Sequence, residues 1–146
     1  KAAKQGHAWA QYNLGAMYEN GQGVDVNYKK AAKWYEKAAE QGDADAQFNL
    51  GVMYEHGQGV EVNLKKAFEW CKKAADQGYD RAQYNLGAAY LGGHGVDQSD
   101  SQAMRWYAKA AAQGRKDAQA AINEIVARRR ASLHASSSAA ADSGGQ

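Results

Sequence analysis

The chain has 146 residues, of which 18 are Lys or Arg and 16 are Asp or Glu, so its formal net charge is +2. A charge this balanced gives no reason to expect nucleic acid as a partner. The single cysteine, Cys71, excludes a disulfide framework and a multi-cysteine zinc site, and the apolar runs are far shorter than the ~20 residues of a membrane span.

The sequence repeats itself every 36 residues. The segments AWAQYNLGAMYENGQGV, ADAQFNLGVMYEHGQGV and DRAQYNLGAAYLGGHGV begin at Ala8, Ala44 and Asp80. A fixed period of this length predicts a solenoid in which each repeat stacks on its neighbours. The predicted organisation is the end of a preceding repeat's helix at 1–6, repeats at 7–43, 44–79 and 80–115, a C-terminal capping helix at 116–130, and a disordered tail at 131–146.

The two ends of the chain depart from the period in different ways. Residues 1–6, KAAKQG, match 37–42, so we expect them to close a helix of an earlier repeat and the chain to be a piece of a longer protein. Compartment is therefore not predicted, since any signal sequence would be missing. Residues 116–130 begin like a repeat but carry Asn123 where Gly15 stands, which is typical of a cap. The Ala, Ser and Gly of 131–146 contain nothing that buries a core.

Each repeat is predicted to contain two helices. Apolar residues recur at helical spacing in both halves, and Gly15 and its counterparts Gly51 and Gly87 lie inside the first helix, which predicts close approach of a partner helix. The first helix ends at glycine, and the second begins after the N-cap residues Asn27, Asn63 and Ser99. Trp34, Trp70 and Trp106 recur at one position and are predicted to be core residues. Cys71 stands where Tyr35 and Tyr107 stand, as a half-buried small apolar residue.

The segments AQYNLGAMYENGQGV at 10–24 and KKAAKWYEKAAEQG at 29–42, with their counterparts, resemble the Sel1-like repeat family, which is related to the tetratricopeptide repeats. The resemblance covers residues 1 to about 122. It implies an all-α fold, a right-handed α/α solenoid or superhelix of helix-turn-helix repeats with about seven to eight helices. Repeat three departs modestly at Leu91 and Gly92, and a single cysteine excludes the family's cysteine-rich bacterial branch.

The resemblance also implies a non-enzymatic scaffold or adaptor for protein–protein interaction, without cofactor, metal or catalytic residues. In relatives the first helices line the concave groove, so a partner peptide or protein segment would dock there. Asn13, Asn49 and Asn85 form a ladder of amides that offer both donors and acceptors, although the same amides could equally bond a neighbouring helix or water. The predicted groove residues are Trp9, Asn13, Asn20, Asp45, Asn49, His56, Arg81 and Asn85.

Other interpretations stay open. The chain could self-associate through exposed repeat ends, as a monomer in equilibrium with a weak homodimer, and a remote alternative is a carbohydrate-binding or enzymatic repeat protein. The four histidines show no metal-ligand spacing. Within RRASL, Ser132 resembles the site phosphorylated by cyclic-AMP-dependent protein kinase, on a tail beside three arginines.

Overall fold

The computed structural model describes the backbone of residues 2–144 and the side chains of residues 6–137. The described residues form seven α-helices and no strand. The helices are α1 (Ala2–Asn20), α2 (Tyr28–Glu40), α3 (Ala44–His56), α4 (Leu64–Asp76), α5 (Asp80–Gly92), α6 (Asp100–Ala112) and α7 (Lys116–Gly144). Each helix packs against the helices that precede and follow it, which is the arrangement of an α/α solenoid. Within this part of the chain no helix is both long and apolar enough to cross a membrane.

The predicted helix ends are confirmed at the junction inside each repeat. The Asn27 side chain accepts a hydrogen bond from the Lys30 backbone N–H at 3.0 Å, and Asn63 and Ser99 cap α4 and α6 in the same way. Gly57 ends α3 in the left-handed region at φ 70°, where a Cβ is disfavoured. Each cap joins residues only a few positions apart, so the sequence alone determines where the chain turns between the two helices of a repeat.

The core crosses the repeat boundaries. Leu50 and Met53 of α3 pack with Tyr35 of α2, and the side chains of all three are at most 1% exposed. The same arrangement recurs further along the chain, where Ile125 of α7 packs with residues of α6. Burying a Leu or Met side chain contributes ~1.5–3 kcal/mol. Much of each repeat's stability therefore comes from its neighbours.

Paired glutamines join adjacent repeats, a feature that the sequence analysis did not single out. The buried Gln47 side chain donates to Ala39 O at 3.1 Å. Gln77 in turn donates to Gln47 Oε1 at 2.8 Å and to Gly42 O at 2.9 Å. Gln83 and Gln113 repeat the pattern one unit later, and Gln41 donates to Gln11 in the first unit. The amides thereby satisfy backbone carbonyls where one repeat ends and the next begins.

The two ends of the chain differ from the sequence-based expectation. Residues 1–6 do not close a separate helix: α1 is continuous from Ala2, and Gly6 is helical, whereas Gly42 has φ 97°. The Gly42 carbonyl accepts a hydrogen bond from the Gln77 amide, whereas the equivalent Gln41 amide donates to Lys37 O and not to the Gly6 carbonyl. Without that bond to hold a turn at Gly6, the helix continues to the good helix formers Ala2, Ala3 and Lys4 despite the glycine. Lys1 lies outside the described residues.

At the other end, α7 continues to Gly144 instead of stopping at residue 130. Ala118 and Ile125 are buried, as expected of a capping helix, and the side chains of 127–137 are all exposed. The tail therefore buries no core over 131–137, as predicted, but its backbone is helical. Extending a formed helix through Ala-rich sequence costs little, because nucleation has already occurred. Ser132 is exposed on this helix, and residues 145–146 lie outside the described part.

The tryptophans follow the prediction only in part. Trp106 is 5% exposed, but Trp34 and Trp70 are half-buried. The Lys37 ammonium lies 4.5 Å from the Trp34 ring centroid, and Lys73 and Lys109 cover the other two rings similarly. A lysine three residues later lies on the same helix face, so each ring carries a cation over one face. The fully buried aromatic of α2 is Tyr35.

Candidate functional site: a polar groove and the cavity beside it

A polar groove of about 560 Å³ lies across the first helices of the repeats. Its charged side chains have both signs, with the carboxylates of Glu19 and Glu55 and the guanidinium groups of Arg81 and Arg115. The remaining lining residues are Phe48, Asn49, Val52, His56, Tyr84 and Asn85. Except for Arg115, which lies between α6 and α7, all of them belong to α1, α3 or α5. We call this surface the groove.

The groove brings together four of the eight residues predicted from the sequence: Asn49, His56, Arg81 and Asn85. The other four, Trp9, Asn13, Asn20 and Asp45, lie on α1 or at the start of α3 and do not line it. Trp9 is 65% exposed. Asp45 lies beside the Tyr79 hydroxyl, where its charge adds to burial in raising the pKa of that tyrosine. The central part of the predicted surface is thus assembled, and its N-terminal part is separate from it.

Asn49 contacts the preceding repeat as well as the groove. Burial raises the pKa of both Tyr12 and Tyr35, and the nearby Asn49 side chain opposes the increase at each hydroxyl. Its amide therefore lies beside two phenol groups of repeat one. This contact supports the structural interpretation of the asparagine ladder at this position, while the half-buried Asn49 still lines the groove.

Two arginines cover aromatic rings in the groove. The Arg81 guanidinium carbon lies 5.0 Å from the Phe48 ring centroid, and that of Arg115 lies 5.1 Å from the Tyr84 centroid. Arg115 Nη2 also lies 2.7 Å from Asp117 Oδ2, and this hydrogen bond lowers the pKa of that carboxyl. Among the described residues no carboxylate lies within ion-pair distance of Arg81. Arg81 therefore presents its charge to a ligand more freely than Arg115 does.

Five groove residues were not predicted from the sequence: Glu19, Phe48, Glu55, Tyr84 and Arg115. Val52 lies on the same helix face as Asn49, as its spacing predicts, without having been chosen as a binding residue. A signal existed for two of the five, because Glu19 and Glu55 occupy the same repeat position. Tyr12, Phe48 and Tyr84 occupy one repeat position, and aromatic residues at such a position are by type alone typical of a core. Arg115 has no counterpart in the other repeats, so nothing in the period marked it.

In repeats one and three a tyrosine ring fills the space over the glycine of the first helix. Tyr35 is fully buried, its ring centroid is 5.6 Å from that of Tyr12, and its hydroxyl donates to Glu19 at 2.7 Å. A Cβ on Gly15 would lie 2.7 Å from the Tyr35 ring, so only glycine fits beneath it. Tyr107 lies over Gly87 in the same manner. We call this arrangement the tyrosine seat.

Repeat two has the seat without the tyrosine. Cys71 occupies the position, and its thiol donates to Ala82 O at 3.2 Å. Burial first, and the nearby Glu55 charge second, raise the pKa of the Cys71 thiol from 9.0 to about 12, so it is neutral and unreactive at neutral pH. A cavity of about 130 Å³ remains beside it. The cavity is lined by Phe48, Gly51, Val52, Glu55, Leu64, Ala67, Phe68, Cys71, Asn85, Ala88, Ala89 and His94.

In the part of the chain that the structure describes, no three His, Cys, Asp or Glu side chains come together as ligands for a metal ion. Cys71 is a free thiol. The groove and the cavity thus offer hydrogen bonds, charges of both signs and an apolar recess. These are the elements of a binding surface.

Comparison with known proteins gives a consistent result. The family described as Sel1 repeat matches residues 10–43, 44–79 and 80–114. No curated protein matches the sequence. A solved Sel1 repeat protein from Oxalobacter formigenes is 40% identical with a TM-score of 0.76, over 82% of this chain and 90% of that one. Cysteine rich protein B of Helicobacter pylori is 28% identical with a TM-score of 0.66, over 82% and 92%.

A third similar structure is a protective antigen present in uropathogenic Escherichia coli strains, which displays an SLR fold. It is 46% identical over 80% of this chain, with a TM-score of 0.76. The present chain spans only 25% of that protein's length.

Proposed function

Because the chain belongs to the Sel1 repeat family, we propose that it is a non-enzymatic scaffold that binds a peptide or protein segment of a partner in the groove. Sel1 repeat proteins are generally protein-interaction scaffolds and generally non-catalytic. The partner is a protein whose segment presents polar backbone and charged side chains to this surface.

The observation that carries the proposal is the composition of the groove. Asn49 and Asn85 line it one repeat apart, each with an amide that both donates and accepts. An extended segment has free backbone N–H and C=O groups that such amides can pair with, whatever the side chains. Arg81 and Glu55 then favour a segment with charges of both signs, since complementary charge adds specificity and speeds association.

The experiment compares two double variants with the unchanged chain in capture from a lysate of the source organism. Asn49→Ala, Asn85→Ala removes the groove amides. Lys33→Ala, Glu69→Ala is the matched control, because both residues are exposed on second helices and the net charge is unchanged. Helicity of each variant is first verified by circular dichroism, since Asn49 also contacts Tyr12 and Tyr35.

We expect proteins that the unchanged chain and the control retain to be lost from the groove variant. Mass spectrometry then identifies them, and a synthetic segment of each is titrated against the purified chain. Equal retention by both double variants contradicts docking in the groove. It would indicate that the retained proteins bind to the second helices, the loops or α7.

Self-association is a second candidate, because Trp9 leaves 65% of a large apolar side chain exposed on α1. Tryptophan is among the residues that most often anchor interfaces. Light scattering over a range of concentrations tests it. A mass that increases with concentration in the unchanged chain, but not in Trp9→Ser, supports a homodimer through this end, and a constant monomer mass contradicts it.

A further inference from the structure

We infer that the cavity beside Cys71 is a binding site for a phenol ring, and that its occupant is a tyrosine side chain of the partner segment that lies in the groove. The inference rests on the proposed function for the source of the tyrosine. The phenol preference itself comes from the comparison of one repeat with the next.

The environment of Tyr35 in repeat one is the template. Four groups surround its ring and hydroxyl: the Tyr12 ring at 5.6 Å, Gly15 beneath it, the Glu19 carboxylate at 2.7 Å, and the Asn49 amide of the following repeat. Together they provide an aromatic wall, space for a flat ring, a carboxylate that accepts the hydroxyl's hydrogen bond, and a polar amide beside it.

Repeat two keeps all four groups and lacks only the ring. The residues 36 positions later are Phe48, Gly51, Glu55 and Asn85, and every one of them lines the cavity. The atoms nearest to a Cβ on Gly51 would be backbone and Cβ atoms of α4, whereas at Gly15 and Gly87 they belong to tyrosine rings. The missing side chain is therefore the only part of the tyrosine seat that the chain does not supply.

Glu55 gives the cavity its preference for a phenol over a plain aromatic ring. In repeat one the equivalent Glu19 accepts the Tyr35 O–H, and a hydrogen bond to a carboxylate is stronger than one between neutral groups. Repeat three has Leu91 at this position, so the acceptor is not obligatory for packing a ring there. Glu55 has no tyrosine of its own in repeat two, and its side chain is 46% exposed at the cavity.

The size and location of the cavity fit a side chain that enters from the groove. Its volume of about 130 Å³ is close to the ~150 Å³ of an apolar protein cavity that binds benzene. Phe48, Val52, Glu55 and Asn85 line both the cavity and the groove, so the two adjoin. A segment that lies on the groove can thus insert a ring beside Cys71 without displacing any helix.

The test titrates p-cresol, which is the tyrosine side chain without its backbone, and toluene, which lacks the hydroxyl. Binding is followed in the full chain by ¹H–¹⁵N NMR. We expect p-cresol to shift the amide signals of Gly51, Cys71 and Asn85, and toluene to bind more weakly. Glu55→Leu, which copies repeat three, should weaken p-cresol about tenfold because a hydrogen bond to a charged group is lost, and should leave toluene within about twofold.

Cys71→Tyr is the blocking variant, since it gives repeat two the ring that repeats one and three already hold. It should fold, and it should abolish the shifts from both probes. Cys71→Ala is its matched control, because it removes the thiol without filling the cavity, and it should retain p-cresol binding. Binding to Cys71→Tyr, or shifts confined to other regions, overturns the site. Equal affinity for toluene and p-cresol, unchanged by Glu55→Leu, overturns the phenol preference.

The partner's tyrosine is tested in the capture experiment. Cys71→Tyr should retain less of those proteins whose binding depends on Asn49 and Asn85, and a synthetic segment with its tyrosine changed to alanine should bind the unchanged chain at least tenfold more weakly. Groove-dependent proteins that Cys71→Tyr retains in full overturn this inference and leave the proposed function standing. Capture that is independent of the groove contradicts the proposed function, while the p-cresol titration still decides the phenol site.

Discussion

Repeats one and two share two thirds of their residues and differ in what fills the space between their two helices. In repeat one the Tyr35 ring is fully buried over Gly15 and bonded to Glu19. In repeat two Cys71 leaves a cavity beside Gly51 and Glu55. Repeat three restores the ring with Tyr107. The repeat that lacks a tyrosine at this position is thus the one whose interior opens beside the groove.

The largest effect is expected from giving repeat one the packing of repeat two. Tyr35→Cys removes a fully buried ring and the hydrogen bond to Glu19, and it should lower the free energy of unfolding by ~3–5 kcal/mol, as large-to-small changes of buried aromatics do. Urea unfolding followed by circular dichroism measures it. Cys71→Ala is the control and should cost less than ~1.5 kcal/mol, because the space beside it is already open. Equal losses would contradict the contrast between the two repeats.

Gly51, which lies beside Cys71, and Gly87, which lies beneath Tyr107, should respond differently to an added methyl group. A Cβ on Gly87 would lie 2.8 Å from ring atoms of the buried Tyr107, so overpacking in Gly87→Ala should cost ~1–3 kcal/mol of unfolding free energy, for a net loss of up to ~2 kcal/mol after the gain in helix propensity. At Gly51 the nearest atom would be Ala67 O at 3.1 Å, a contact that a shift of tenths of an ångström relieves. The ~1 kcal/mol by which alanine exceeds glycine in helix propensity offsets that cost, so Gly51→Ala should be nearly neutral. Thermal unfolding measures the loss of stability in both variants, and a larger loss for Gly51→Ala than for Gly87→Ala would refute this account.

The smallest effects appear at alkaline pH. Burial raises the pKa of both Tyr107 and Cys71 to about 12. Each group is neutral when protonated, so its contribution to stability is full below its unfolded pKa and is lost as pH rises towards the folded value. The loss should begin above about pH 9 for the thiol and above about pH 10 for the phenol.

At pH 11 we therefore expect Tyr107→Phe to gain about 1 kcal/mol relative to the unchanged chain, compared with the same pair at pH 7. Cys71→Ala should gain in the same sense, beginning about one pH unit lower. Urea unfolding at pH 7, 9, 10 and 11 measures both differences. A difference that stays constant across this range would mean that ionisation of the two groups does not limit alkaline stability.

Much of the fold could be predicted because its determinants are local. The period of 36 residues, the asparagine and serine N-caps and the glycine at each helix end lie within a few residues of the structure they specify. The groove was predicted in part, through Asn49, His56, Arg81 and Asn85, because helical spacing places them on one face. Trp9, Asn13, Asn20 and Asp45 lie on the same kind of face, yet they do not line the groove.

Other features could not be predicted because they depend on which residues contact one another across repeats. The pairing of Gln77 with Gln47 and Gly42 joins residues up to 35 positions apart. The continuation of α7 to Gly144 reflects the low cost of extending a formed helix, which no apolar pattern in residues 131–146 marks. Arg115 enters the groove from the turn before α7, where no repeated position marks it.

The sequence by itself determined the repeat, the helix boundaries within each repeat and the family to which the chain belongs, because each of these is written in short-range patterns of residue type. It also contained the exchange of tyrosine for cysteine at residue 71. Only the tertiary structure decided that this exchange leaves a cavity next to Glu55 and Asn85, because the cavity is bounded by side chains from α3, α4 and α5 and the loop after α5. Packing across repeats, unlike helix formation, depends on the shape of every neighbour at once.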